Sequence, residues 1–159
     1  MNGGMELYLH MPFCVRKCAY CDFLSFPTDQ ETQNLYTRRL REDIDAMGKK
    51  YGDIPVDTIF IGGGTPSVPD SALIVGIMEH VRKAFHVAEG AEISMEANPG
   101  TVTREKLTDY RRAGINRLSF GLQSANDREL KLLGRIHTWA EFLESFHLAR
   151  ECGFTNINI

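Results

Sequence analysis

Residues 56–86 read VDTIFIGGGTPSVPDSALIVGIMEHVRKAFH. The first part, 56–64, is an apolar run that ends in three glycines, as a strand entering a tight loop would. The second part, 70–86, has helical spacing and follows cap-type residues. A third segment, AEISMEANPG (91–100), predicts another strand that stops at a turn. Strand, glycine-rich loop, helix, strand is a βαβ unit, whose two strands must be parallel because a helix carries the chain back.

The flanking segments repeat this grammar. Upstream, ELYLH (6–10) predicts a short strand, and TDQETQNLYTRRLREDIDAMGKKYG (28–52) predicts a helix with Leu35, Leu40, Ile44 and Met47 on one face. Downstream, a helix is expected over 103–114 with Gly114 as its stop, then a strand over 115–124, a helix over 139–153 and a last strand over 154–159. Alternation of this kind places the chain in the α/β class with a parallel sheet. The units share no repeated motif, so they are successive barrel or sheet units and not solenoid repeats. Four units and one strand cannot close a barrel of eight. The expectation is therefore a partial TIM-like (β/α) barrel, with residues 1–159 as the N-terminal portion of a longer protein. The rival is a complete small flavodoxin-like domain.

Composition narrows the function classes. The chain has 43% hydrophobic and 25% charged residues and a net charge of −3, a globular profile with no general attraction for nucleic acid or anionic lipid. No apolar run reaches the length of a membrane span. MNGGMELYLH lacks the basic and apolar regions of a signal peptide. A cytoplasmic protein with reduced thiols is the expectation.

Three of the four cysteines lie in MPFCVRKCAYCDF (11–23), with the spacing C-x3-C-x2-C. In a reducing compartment such a cluster reads as a metal or redox site. Taken by itself it allows an iron–sulfur cluster held by three thiolates, a zinc site with His10 as fourth ligand, or a redox dithiol at Cys18 and Cys21. Cys152, far away in ARECGFTN, reads as a small core residue near a helix end.

YLHMPFCVRKCAYCDF (8–23) resembles the signature of the radical S-adenosylmethionine (SAM) enzymes, with the cysteines in the loop after the first strand. The segments FIGGGTPS, SMEANPG, RLSFGLQS and LGRIHT follow in the order found in one branch of that family. That branch holds the oxygen-independent coproporphyrinogen III oxidases and the HemW-like heme chaperones. The resemblance implies that Cys14, Cys18 and Cys21 hold a 4Fe–4S cluster whose fourth iron is open to SAM. It also implies a SAM pocket containing Tyr8, Tyr20, Gly63, Gly64, Thr65, Glu96, Gln123 and Arg135. Gly63, Gly64 and Thr65 match the stretch near the SAM amino group, Glu96 an acid that contacts SAM, and Arg135 an arginine that meets its carboxylate.

Read without the resemblance, Glu96 is either a turn residue or a ligand at a strand end, Gln123 either a solvated polar tip or a ligand, Arg135 a surface charge, and Tyr8 ordinary packing. His80, His86, His137 and His147 read as helix or loop residues of no special role. No catalytic residue is assigned.

Within the branch, the oxidases resemble C-x3-C-x2-C-x-C, whereas this chain has Phe23 at the position of the last cysteine. The resemblance therefore favours a chaperone that binds heme and passes it to an acceptor, including one reached peripherally at a membrane. The alternative is oxidative decarboxylation of coproporphyrinogen III. Either needs SAM, a heme or porphyrinogen, and an electron donor, and neither implies nucleic acid.

Overall fold

The computed structural model describes residues 4–159. Met1, Asn2 and Gly3, part of the stretch read above for a signal peptide, lie outside it. Five strands, β1 (Met5–Met11), β2 (Val56–Gly63), β3 (Val87–Ala97), β4 (Arg117–Phe120) and β5 (Asn156–Asn158), form one parallel sheet in the order β1-β2-β3-β4-β5. The connections carry α1 (Gln30–Tyr51), α2 (Ser71–Ala84), α3 (Arg104–Arg112), and the pair α4 (Asp127–Leu132) and α5 (Trp139–Glu151).

A flavodoxin-like sheet contains a reversal of strand order; this sheet has none, and that rival falls. The faces of the strands agree. Leu9, Met11, Ile59, Ile61, Ile93, Met95, Leu118 and Phe120 are buried in one core with Ile74, Ile77 and Val81 of α2, Leu107 and Tyr110 of α3, and Phe142 of α5. Burial of each large side chain contributes roughly 1.5–3 kcal/mol. The alternate positions point to the other face and, Phe60 apart, are mostly polar, among them Tyr8, His10, Glu92, Glu96, Arg117, Ser119 and Asn158. Parallel sheets covered on both faces read as continuous apolar runs. Apolar-out, polar-in alternation instead leaves the inner face of this barrel segment able to line a polar site.

Helix starts are set by side chains that accept orphan amide protons. Asp29 accepts from Thr32 N at 2.8 Å and Asp70 from Ala72 N at 2.9 Å. Thr138 and Glu141 form a reciprocal capping box on α5.

The expected elements are all present, with shifted ends. β3 starts at Val87, four residues before the expected 91, and Asn98 to Gly100 form the turn beyond it. β4 is only Arg117–Phe120; the expected strand residues 121–124 leave the ladder. Helix α4 was not expected. It is six residues long, capped by Asn126, and buries only Leu130, too short for a periodic signal. Cys152 caps the end of α5 and packs half-buried against the core.

Candidate functional site

The cysteines lie on a loop held at its neck. Phe13 bridges Phe26, with Phe26 N donating to the Pro12 carbonyl at 2.9 Å and Cys14 N to the Phe26 carbonyl at 3.2 Å. Phe13 is buried and meets Tyr36 edge-on, which seats the neck on α1. At its far side the loop rests on the segment after α4. Ala19 N donates to the Leu133 carbonyl at 3.2 Å, and Arg16 Nη2 to the Gly134 carbonyl at 2.7 Å.

The ends of the other strands supply the opposite walls. Gly64 N donates to the Met11 carbonyl and Thr65 N to the Phe13 carbonyl, at 2.8 and 2.6 Å. A Cβ on Gly64 would come within 2.6 Å of the Phe13 carbonyl oxygen, so the strand end fits only glycine. Glu96, at the end of β3, accepts from Gly63 N at 2.9 Å. After β4 the chain turns through Gln123, whose φ of 74° is unusual for a residue with a side chain.

These walls enclose a cavity of about 290 Å³ at the C-terminal ends of the strands, the side on which barrel active sites assemble. Cys14, Cys18, Cys21, Tyr20, Gly63, Gly64, Thr65, Glu96, Gln123 and Arg135 all line it. Tyr8 does not. It stands beside the cavity on the inner face, stacked on Phe60 and donating to His10 Nδ1 at 3.2 Å. Partial burial, then the Glu96 carboxylate, raise its pKa. His10, the fourth ligand of the zinc reading, is also outside the wall. Its Nε2 donates to the Leu24 carbonyl at 2.9 Å, so both ring nitrogens are already engaged.

Arg135 reaches three partners at once. Nη1 donates to Cys18 Sγ at 3.5 Å, and Nη2 to Asn98 Oδ1 at 2.8 Å and to the Gly121 carbonyl. Its Nε is buried with no partner. Burial raises the pKa of the neighbouring Tyr20, and the Arg135 charge works against that shift. Sequence reasoning missed Arg16, Asn98, Gly121 and Asn158 as wall residues; none of them carries a recognisable signal alone. It also passed over His137, which is buried with neither ring nitrogen hydrogen-bonded.

Among the described residues, no three His, Cys, Asp or Glu side chains converge as ligands of one ion. A closed zinc site needs four. Three thiols spread along one cavity wall fit ligands to separate irons of a cluster. The cavity also fits a ligand bearing amino and carboxylate groups, with Glu96 for the first and Arg135, with its unpartnered Nε, for the second.

A barrel segment with three cysteines at the mouth of its first strand defines a class. A sequence model of the radical SAM superfamily matches residues 8–159, and the chain belongs to that superfamily. More particularly, it is similar to the heme chaperone HemW of Escherichia coli (strain K12), with 42% identity over 98% of this chain and 41% of that protein. It is 36% identical to HemW of Bacillus subtilis (strain 168), over 96% of this chain and 40% of that one. Among solved structures it is similar to E. coli coproporphyrinogen III oxidase (HemN), described as a radical SAM enzyme. There the TM-score is 0.91 and the identity 31%, over 100% of this chain and 37% of that one. Thus the chain spans about two fifths of the length of these relatives. Among the described residues, no helix is long and apolar enough to cross a membrane.

Proposed function

We propose that this chain is the cofactor-binding N-terminal segment of a HemW-type heme chaperone. Cys14, Cys18 and Cys21 hold a 4Fe–4S cluster, and Tyr8, Tyr20, Gly63, Gly64, Thr65, Glu96, Gln123 and Arg135 form the SAM pocket, Tyr8 from its edge. The observation that carries this reading is the gathering of all three thiols, Glu96 and Arg135 around one cavity. When bound, the cluster supplies the electron for reductive cleavage of SAM. The chain's own part is to bind and orient: Glu96 is held by the Gly63 amide, and Arg135 by Asn98 and Gly121.

The relatives named heme chaperones at 36–42% identity support heme as cargo, and so does Phe23, which stands where the oxidases resemble a cysteine. An electron donor and a heme acceptor protein complete the proposed set of partners. The likeness to HemN favours a second reading, oxidation of coproporphyrinogen III. The two separate in one assay. The intact protein, incubated without oxygen with SAM, reductant, coproporphyrinogen III and heme, is expected to bind heme stoichiometrically and form no protoporphyrinogen IX. Turnover at enzyme-like rates, without heme binding, would overturn the chaperone reading.

A further inference from the structure

Two of the three thiols are connected through a single side-chain amide. Cys14 Sγ lies 3.7 Å from Thr65 Oγ1, Thr65 Oγ1 is 3.0 Å from Asn98 Nδ2, Asn98 Oδ1 is 2.8 Å from Arg135 Nη2, and Arg135 Nη1 is 3.5 Å from Cys18 Sγ. The chain of contacts spans the loop after β1, the ends of β2 and β3, and the segment after α4.

The direction of every hydrogen bond in it follows from chemistry. A guanidinium only donates, so the Asn98 atom facing Arg135 is the oxygen. The other end is then the NH2, which donates to Thr65 Oγ1. With that lone pair engaged by the amide, the Thr65 hydroxyl proton is free to point at Cys14 Sγ. Asn98 is itself fixed: its backbone N donates to Ser67 Oγ at 3.2 Å, and its carbonyl accepts from Thr101 Oγ1 at 2.7 Å. Thr65 and Ser67 are both buried, so water does not compete freely for these groups.

We infer that Asn98 is a positioning residue that aims one hydrogen-bond donor at each of two cluster thiolates, Thr65 Oγ1–H at Cys14 and Arg135 Nη1–H at Cys18. The inference rests on the proposal that these thiols hold a cluster. Donors to the sulfurs stabilise the more negative, reduced cluster and so raise its potential. Asn98→Asp keeps the shape but removes the NH2. The hydroxyl of Thr65 must then donate to the new carboxylate, which turns it away from Cys14.

The test uses the intact protein, reconstituted with iron and sulfide under anaerobic conditions and titrated with dithionite in the absence of SAM, with the reduced cluster read by electron paramagnetic resonance. Wild type is expected to load iron. Asn98→Asp is expected to load equally but to titrate lower, the reduced fraction at a fixed poise falling severalfold. Thr65→Val is expected to shift in the same direction and Thr65→Ser to restore the wild-type value. In the Thr65→Val background, Asn98→Asp is expected to add less than it does alone, since the two share one path. A potential at or above wild type in Asn98→Asp, or equal potentials for Thr65→Ser and Thr65→Val, overturns the inference. If Asn98→Asp takes up no iron, the Thr65 pair decides alone. A wild-type protein that takes up no iron overturns the cluster proposal itself, whereas a loaded wild type with unmoved variants overturns only the role of Asn98.

Discussion

Arg135 Nη1 donates to Cys18 Sγ at 3.5 Å across 117 residues of chain. The contact joins the segment after α4 to the cysteine loop, and the same guanidinium holds Asn98 and the Gly121 carbonyl. A planar fork can serve several acceptors in fixed directions; an ammonium on a flexible stem cannot. Arg135→Lys is therefore expected to weaken SAM binding by roughly 10- to 100-fold, the equivalent of one charged hydrogen bond of about 1.5–3 kcal/mol. Equilibrium dialysis with the cluster-loaded protein measures it. An affinity equal to wild type contradicts the role given to the fork.

Gly63 occupies φ 116°, and a Cβ there would lie 2.4 Å from the His10 ring. The ring cannot yield without losing the Leu24 carbonyl it holds. Gly63→Ala is expected to cost about 1–3 kcal/mol of stability. Urea unfolding at neutral pH is the measurement, and a midpoint equal to wild type would count against this packing.

Ile61 is fully buried on the helix-facing side of β2. Ile61→Ala is expected to cost about 2–5 kcal/mol by loss of burial and creation of a cavity. Because Ile61 faces away from the thiols, the molecules that remain folded should keep the iron content of wild type. Reduced iron per folded molecule would mean that the two faces are coupled.

His137 has its pKa pushed below the usual 6.5, mainly by burial and then by the Arg135 charge. The folded state thus binds fewer protons than the unfolded state in the window below pH 6.5. Stability must fall as the pH drops from about 6.5 toward the depressed value. His137→Leu, which removes the titrating group, is expected to flatten that slope. Urea midpoints at pH 7.5 and 5.5 compare the two, and parallel slopes would contradict the assignment.

The parallel βα order was legible because each strand's apolar run and each helix's spacing are local signals. Ten of the eleven expected site residues line one cavity, since they cluster at strand ends where a barrel converges. What escaped the sequence depends on contacts between distant segments. Asn98 looks like a turn residue until Thr65 and Arg135 arrive on either side of its amide. His10, four residues before Cys14, looks like a ligand until Tyr8 and Leu24 occupy both nitrogens. Gln123 looks like the end of a strand, but the ladder stops at Phe120 and Gln123 sits at positive φ beyond it. Tyr8 shares the inner face with Glu96 without reaching the wall, a matter of strand position that a motif does not encode.

The most direct measurement of the central claim is iron stoichiometry after anaerobic reconstitution of the intact protein. Wild type is expected to hold about four irons per chain with thiolate-to-iron absorption in the visible range. Replacement of Cys14, Cys18 and Cys21 together by alanine is expected to remove both, and Cys152→Ala, at the distant end of α5, to change neither. Four irons retained by the triple variant, or lost in Cys152→Ala, would contradict the assignment of the cluster to this loop.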